Sequence, residues 1–132
     1  MKSVVPVFAI GILLLAALSR DTVLAMQSAG TGDAARGKQV FEKRCIGCHT
    51  IEADREGPRL AGVFGRKAGS IAGYAYSAEL KKSGANGLIW DDVSLQKWLI
   101  DPDAMVPNNN MEFRVPKAQE RQDLIAYLKQ VK

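Results

Sequence analysis

The sequence is poor in the residues that build metal sites and disulfide frameworks. Its 132 residues include one histidine and two cysteines. A structural zinc site needs further cysteine or histidine ligands at fixed spacing, so a single chain cannot complete one. The chain also lacks a basic stripe of the kind that binds nucleic acid, although its formal net charge is +4. The composition therefore indicates a weakly basic protein and does not name a partner.

No apolar run reaches the length usual for a membrane-spanning helix, which is about 20 residues. Residues 4–18 are apolar or small apart from Pro6, and Lys2 precedes them. This pattern is typical of a secretory signal peptide, and the alternative is an uncleaved anchor on the outer face of the inner membrane. We therefore predict an exported, periplasmic protein. The predicted parts are a signal peptide, a flexible linker and one domain, at residues 1–25, 26–32 and 33–132.

The scarce residues stand together in the stretch Cys45-Ile46-Gly47-Cys48-His49. Two thiols three positions apart, followed by a histidine, form the attachment sequence of a c-type haem. Each sulfur adds to one vinyl group of the porphyrin, and the imidazole supplies an axial nitrogen to the iron. A thioredoxin-like dithiol belongs to a βαβ pattern, and no β pattern precedes this stretch. The motif predicts one haem c on Cys45 and Cys48, with His49 as axial ligand and no cysteine left for a disulfide.

The spacing of apolar residues predicts an all-α domain. The predicted helices span residues 34–44, 78–83, 93–100 and 117–130, and the third should turn Leu95, Trp98 and Leu99 inward. Asp33 is suited to cap the first helix, and Pro116 to open the last. A glycine inside a helix costs about 1 kcal/mol relative to alanine. Gly37 inside the first helix therefore indicates that another backbone crosses there, and the apolar stripe of the last helix is the available partner.

The residues after the motif predict the surroundings of the haem. Proline lacks an N–H donor but keeps its carbonyl, so Pro58 is suited to accept a hydrogen bond from the second nitrogen of His49 and fix its tautomer. The apolar side chains suited to wall the haem are Leu60, Val63 and Phe64. The polar side chains suited to bind its propionates are Arg66, Tyr74 and Tyr76.

The second axial position is open to more than one side chain. Because His49 is the one histidine, the ligand is a methionine, a lysine, another soft donor or water. A neutral thioether paired with histidine suits electron transfer. Met105 precedes Pro107, and Met111 follows it at the tip of a turn-forming loop. Spacing alone does not choose between the two methionines.

Several short segments, one of them containing the haem motif, match one known family and occur in the order of that family. They are residues 37–41, 45–50, 57–60, 62–69, 73–77, 90, 101–102, 106–113 and 123–128. Together they resemble a class I cytochrome c of the mitochondrial or bacterial cytochrome c2 type. The resemblance implies a small all-α fold with crossing N- and C-terminal helices and loops wrapped around one covalent haem. It also implies that Met111 is the distal ligand. The implied haem pocket consists of Pro58, Leu60, Phe64, Arg66, Tyr74, Tyr76, Trp90, Trp98, Leu99, Asn109 and Phe113.

Two departures from that family concern the distal side of the haem. The family has Gly-Thr-Lys or similar between its proline and its methionine, where this chain has three asparagines at residues 108–110. Asn109 is still suited to donate to a propionate. The family lysines around this loop are replaced by Asp103, Ala104 and Asn110. Trp98 stands where the family has a tyrosine bonded towards the methionine sulfur, and because an indole donates but cannot accept, the redox potential is affected.

The sequence thus predicts an electron-transfer protein rather than an enzyme. It predicts a periplasmic, monomeric, monohaem cytochrome that passes single electrons between redox proteins of a respiratory or related chain. Membrane contact would come only through those partners or through an uncleaved N-terminus. The alternatives are a haem enzyme or gas sensor with a labile sixth ligand, and a tethered haem subunit of a larger oxidoreductase. The candidate docking charges are Lys43, Arg44, Lys67 and Lys117.

Overall fold

Helices joined by long loops make up the part of the chain that the structure, a computed structural model, describes: residues 31–132. They are α1 (Ala34–Arg44), α2 (Ala78–Ala85), α3 (Asp92–Ile100), α4 (Pro102–Met105) and α5 (Ala118–Leu128). Within these residues the one β-type pairing is an isolated bridge between Lys67 and Ile89. The predicted all-α fold is confirmed. The predicted signal peptide and residues 26–30 of the predicted linker lie outside the described residues.

No helix within residues 31–132 is both long enough and apolar enough to cross a membrane.

The first and last helices cross at Gly37. Asp33 caps α1 by accepting a hydrogen bond from the backbone N–H of Arg36 at 2.8 Å, as predicted. A Cβ atom added to Gly37 would overlap the carbonyl oxygen of Asp123 on α5. Beside this contact the ring centroids of Phe41 and Tyr127 lie 5.6 Å apart. The predicted crossing of the two terminal helices is therefore confirmed.

Asp123, on α5, stabilises this helix crossing through its side-chain hydrogen bonds. Its side chain is 3 % exposed. The Arg36 guanidinium donates to both carboxylate oxygens, from Nε at 2.8 Å and from Nη2 at 2.9 Å. The backbone N–H of Asp33 and the side-chain amide of Gln119 also donate to Oδ1, at 2.8 and 3.0 Å. The Arg36 hydrogen bonds, with help from these other donors, lower the pKa of the Asp123 carboxyl to about 2.

We expect the stability that Asp123 contributes to disappear between about pH 4 and pH 2. An aspartate in the unfolded chain titrates near about 3.9, so folding favours the ionised form. The contribution is complete above the unfolded-state pKa and is lost as the pH falls through the folded-state pKa, a change of roughly 2–3 kcal/mol. Urea unfolding of the haem-loaded protein across this range, for wild type and Asp123→Asn, measures it.

The control is Asp92→Asn, which removes an exposed carboxylate paired with Lys129. This change should shift stability by less than about 0.5 kcal/mol at any pH. A gap between wild type and Asp123→Asn that stays constant down to pH 2 would contradict the prediction.

Helix α3 contributes apolar side chains to the protein interior. Asp91 and Ser94 form a capping box at its start, with the Ser94 N–H donating to Asp91 Oδ1 at 2.7 Å and the Asp91 N–H donating to Ser94 Oγ at 2.8 Å. Because the helix starts in this fixed register, it buries Leu95, Trp98 and Leu99 on one side. All three were predicted to turn inward.

The boundaries of α2, α3 and α5 differ from the prediction, and one helical turn was not predicted; α3 starts one residue earlier, at Asp92, and α5 ends at Leu128. Helix α2 extends beyond residue 83 to Ala85, because Gly84 allows the helix to touch the Ala68 carbonyl instead of ending it. The turn α4 was not predicted; Pro102 begins it at a position where the missing N–H is not needed. Helix α5 begins at Ala118, two residues after Pro116. The Arg121 guanidinium donates to the Val115 and Pro116 carbonyls, which holds both outside the helix.

Candidate functional site

A cavity of about 260 Å³ lies between α3, α5 and the long loops. Both thiols of the haem motif, His49 and Met111 line it, although Met111 is far from the motif in sequence. The other predicted pocket residues that line it are Pro58, Leu60, Arg66, Tyr74, Tyr76, Trp90, Trp98, Leu99, Asn109 and Phe113. The fold therefore gathers nearly the whole predicted set around one space.

The His49 imidazole is held in one orientation and one tautomer. Its Nδ1 lies 2.7 Å from the Pro58 carbonyl oxygen. Because a carbonyl can only accept, Nδ1 carries the proton, and Nε2 keeps its lone pair. Burial lowers the pKa of His49, partly offset by the Pro58 hydrogen bond, which favours the neutral ring that binds metals.

Gly57 makes room for that ring. The loop returns at this residue, where the Gly57 N–H donates to the Cys48 carbonyl at 2.8 Å. An ideal Cβ atom here would lie 2.6 Å from His49 Nδ1 and 2.7 Å from Nε2. No side chain larger than hydrogen fits beside the imidazole, so the loop and the ring determine each other's position.

The two cysteines differ in exposure. Cys45 caps the C-terminus of α1 through its backbone N–H, which donates to the Phe41 carbonyl at 2.8 Å. Its side chain is half-buried, and burial raises the pKa of its thiol to about 11. Cys48, one turn further on, is exposed. Both thiols are free and face the same cavity.

Met111 also lines the cavity, where two neighbours restrain it. The Trp98 indole Nε1–H donates to its sulfur at 3.1 Å. Its backbone N–H donates to Asn109 Oδ1 at 2.6 Å. The Trp98 ring is in turn fixed edge-on against Trp90, with centroids 5.1 Å apart. Met105, the other candidate ligand, packs against the core and does not line the cavity.

The polar groups predicted to bind propionates are partly committed to the protein itself. Arg66 donates from Nη1 to the Ala61 carbonyl at 2.8 Å and from Nη2 to the Arg59 carbonyl at 2.9 Å. The Tyr74 hydroxyl donates its one proton to the Glu56 carbonyl at 2.5 Å, so this hydroxyl has a different acceptor from the predicted one. Tyr76 packs edge-on against Tyr74 at 4.6 Å. The propionate roles of Arg66 and Tyr76 stay predictions.

Phe64 corrects one expectation about the walls. It was predicted to wall the haem, but it does not line the cavity. Its ring packs against the core from outside, with the Lys129 ammonium 4.9 Å from its centroid. The neighbouring residue Val63, which was also predicted to wall the haem, does line the cavity. Lining residues that the predicted pocket did not include are, among others, Gly57, Leu80, Leu124 and Leu128; the three leucines lie on the apolar faces of α2 and α5 and could have been inferred from those faces.

These residues fit a covalently attached haem. Two free thiols, a neutral imidazole with one uncommitted nitrogen, and a thioether line a single, largely apolar space. This is the donor set by which a c-type haem and its iron are held.

The comparisons with known proteins agree with this chemistry. The cytochrome c family model matches residues 34–132. The chain is 37 % identical over 106 residues to the cytochrome c of Nigella damascena, covering 77 % of this chain and 93 % of that protein. Among solved structures it is similar to cytochrome cH from Methylobacterium extorquens, with 45 % identity, TM-score 0.68, and 74 % of this chain and 98 % of that one covered. It is also similar to cytochrome c2 from Rhodospirillum centenum, with 36 % identity, TM-score 0.72, and 76 % and 99 % covered.

Proposed function

The chain belongs to the cytochrome c family and is a haem electron carrier rather than an enzyme, and we propose that it works outside the cytoplasm. We also propose that His49 and Met111 are the two axial ligands of its one covalent haem c. The haem, when bound, supplies a one-electron iron couple. The chain's own residues attach it, ligate it and exclude water from it. We further propose that its donor and acceptor belong to a respiratory or related electron-transfer chain.

One observation carries the ligand assignment: His49 and Met111 line the same cavity as both cysteine thiols. The Pro58 hydrogen bond leaves Nε2 as the nitrogen of His49 that is available to the iron. Trp98 donates to the sulfur of Met111, and a thioether sulfur that accepts one hydrogen bond keeps a second lone pair. With one neutral nitrogen and one neutral sulfur ligand held in place, little needs to rearrange when the electron arrives.

We expect Met111→Ala to lose the weak far-red band that a methionine-to-iron charge transfer gives the ferric protein. The vacated position should then bind added imidazole or cyanide readily, because the cavity lining within the described residues contains no second methionine and no lysine. Loss of the thioether should also lower the midpoint potential, since methionine with histidine raises it. Optical spectra and potentiometry of the exported protein measure all three changes.

The matched control is Met105→Ala, which removes a methionine outside the cavity lining. It should keep the band and the potential of wild type. A wild-type protein that lacks the band and takes up carbon monoxide when reduced has an open sixth site, and the proposed ligation would then be wrong.

The proposed export rests on the apolar stretch at residues 4–18 and on the thiols, which bind haem outside the bacterial cytoplasm. Intact-protein mass spectrometry tests it, because removal of the predicted signal peptide shortens the chain by 25 residues at the predicted boundary.

Two of the four positive charges predicted to dock redox partners take part in ion pairs within the protein. Glu120 pairs with Arg44 at 2.8 Å and with Lys117 at 3.6 Å. Among the four candidate docking charges this leaves Lys43 and Lys67, which make no ion pair with any residue in 31–132. Phe113 lines the cavity and is 43 % exposed. We propose that partners meet the protein at this partly apolar edge.

A further inference from the structure

The loop that carries Met111 has no backbone ladder to hold it. Residues 106–117 contain no regular element, and Asn108 has a positive φ of 59°. The direction of the Met111 side chain therefore depends on specific contacts of this loop. The side-chain hydrogen bonds around Asn109 provide them.

Asn109 joins the two ends of the turn with one rigid amide. Its Nδ2 donates to the Val106 carbonyl at 2.9 Å, and its Oδ1 accepts from the Met111 N–H at 2.6 Å. Val106 is buried in the core, so the first contact is to a fixed point. Because the amide is planar, these two hydrogen bonds hold the Met111 backbone in a fixed position relative to Val106, five residues earlier.

The Met111 side chain is restrained separately at its far end. The Trp98 indole on α3 donates to the sulfur, and Trp98 is itself buried. The backbone of Met111 is thus held by the loop, and its sulfur by a helix. A methionine side chain has several rotatable bonds, and restraint at both ends restricts it to one conformation.

We propose that Asn109 is a positioning residue for Met111, whose side-chain amide holds the methionine backbone so that the sulfur reaches the Trp98 indole and the haem cavity. This inference rests on the proposed role of Met111 as the axial ligand. It differs from the role expected from the sequence, in which Asn109 donates to a propionate.

The test compares ferric Asn109→Ala, Asn109→Ser and Asn110→Ala with wild type. Each is titrated with imidazole, and the far-red band is recorded. Asn110 is the matched control, because its side chain also lines the cavity but makes no hydrogen bond within the described residues. A serine hydroxyl forms the same local turn more weakly, so Asn109→Ser is the conservative replacement and also guards against an alanine variant that fails to fold.

We expect Asn109→Ala to weaken the far-red band and to bind imidazole about tenfold more tightly, as the loss of one or two hydrogen bonds of ordinary net strength implies. The far-red band and the imidazole affinity of Asn109→Ser should lie between those of Asn109→Ala and wild type. Both should be the same in Asn110→Ala as in wild type. A merely structural role would lower the urea midpoint without changing the band or the imidazole affinity.

Two results would overturn the proposal in distinguishable ways. Asn109 variants with wild-type band and imidazole affinity would refute the positioning role and leave Met111 as the ligand. A wild-type protein without the band would refute the ligand role of Met111, and the positioning role with it.

Discussion

Replacing Gly57 with alanine should displace the His49 imidazole and so disturb the haem site. The added Cβ would lie 2.6 Å from Nδ1 and 2.7 Å from Nε2, well inside van der Waals contact. Either the ring turns away from the Pro58 carbonyl, or the loop moves and loses the Gly57–Cys48 hydrogen bond. Both routes leave a polar group without its partner.

The size of the effect follows from the contacts of an axial histidine. Partners that orient a metal-binding histidine typically change metal affinity or activity about 10- to 100-fold when they are lost. We expect Gly57→Ala to yield less haem-loaded protein, with a ferric spectrum showing a weakened axial nitrogen. Haem content per polypeptide and the ferric absorption spectrum measure these changes.

Gly47→Ala is the control for this substitution. It lies within the haem motif, but a Cβ atom there meets no atom within 4 Å. It should give wild-type haem content and spectrum. Should Gly57→Ala behave like Gly47→Ala, the crowding around His49 has no functional consequence.

Gly37→Ala should destabilise the whole fold by about 3 kcal/mol or more, although the intrinsic preference of a helix predicts the opposite sign. In an exposed helix, alanine in place of glycine adds about 1 kcal/mol of stability. At Gly37 the new methyl group would overlap the Asp123 carbonyl oxygen, a backbone atom that cannot turn aside. The helices must then separate, which also stretches the Arg36–Asp123 contact, and the cost falls at or above the usual range for overpacking, about 1–3 kcal/mol.

Urea unfolding of haem-loaded Gly37→Ala, again with Gly47→Ala for comparison, measures this loss. The far-red band in the folded baseline should stay intact, because the crossing is separate from Met111. A Gly37→Ala protein more stable than wild type would mean that helix preference outweighs the close contact.

The contrast between these two glycines shows what a sequence can reveal. Gly37 was predicted as a crossing point because a glycine in an otherwise regular helix is an anomaly that periodicity exposes. Gly57 lies in a loop, where glycine is common, and the side chain that crowds it is eight residues away. Its importance depends on how the loop returns to His49, which is a tertiary fact.

The same distinction holds for the walls of the cavity. Leu95, Trp98 and Leu99 were predicted to turn inward because α3 is periodic and its cap fixes the register. Val63 and Phe64 are adjacent in a loop without a period, so nothing in the sequence indicates which of them faces the cavity. The Asn109 hydrogen bonds also needed the folded loop, because an amide side chain has several local partners within reach.

The crossing of α1 and α5 joins segments whose contacting residues are 87 positions apart, as the Arg36–Asp123 hydrogen bonds record. Once this contact is made, the segment between Arg36 and Asp123 forms a closed loop. The entropy of closing a ring rises only slowly with its length, by about 0.6 kcal/mol for each doubling. Where a surface loop does not line the cavity, an insertion therefore adds little to the entropic cost of closing this ring, so such loops can vary in length while the crossing of α1 and α5 is kept.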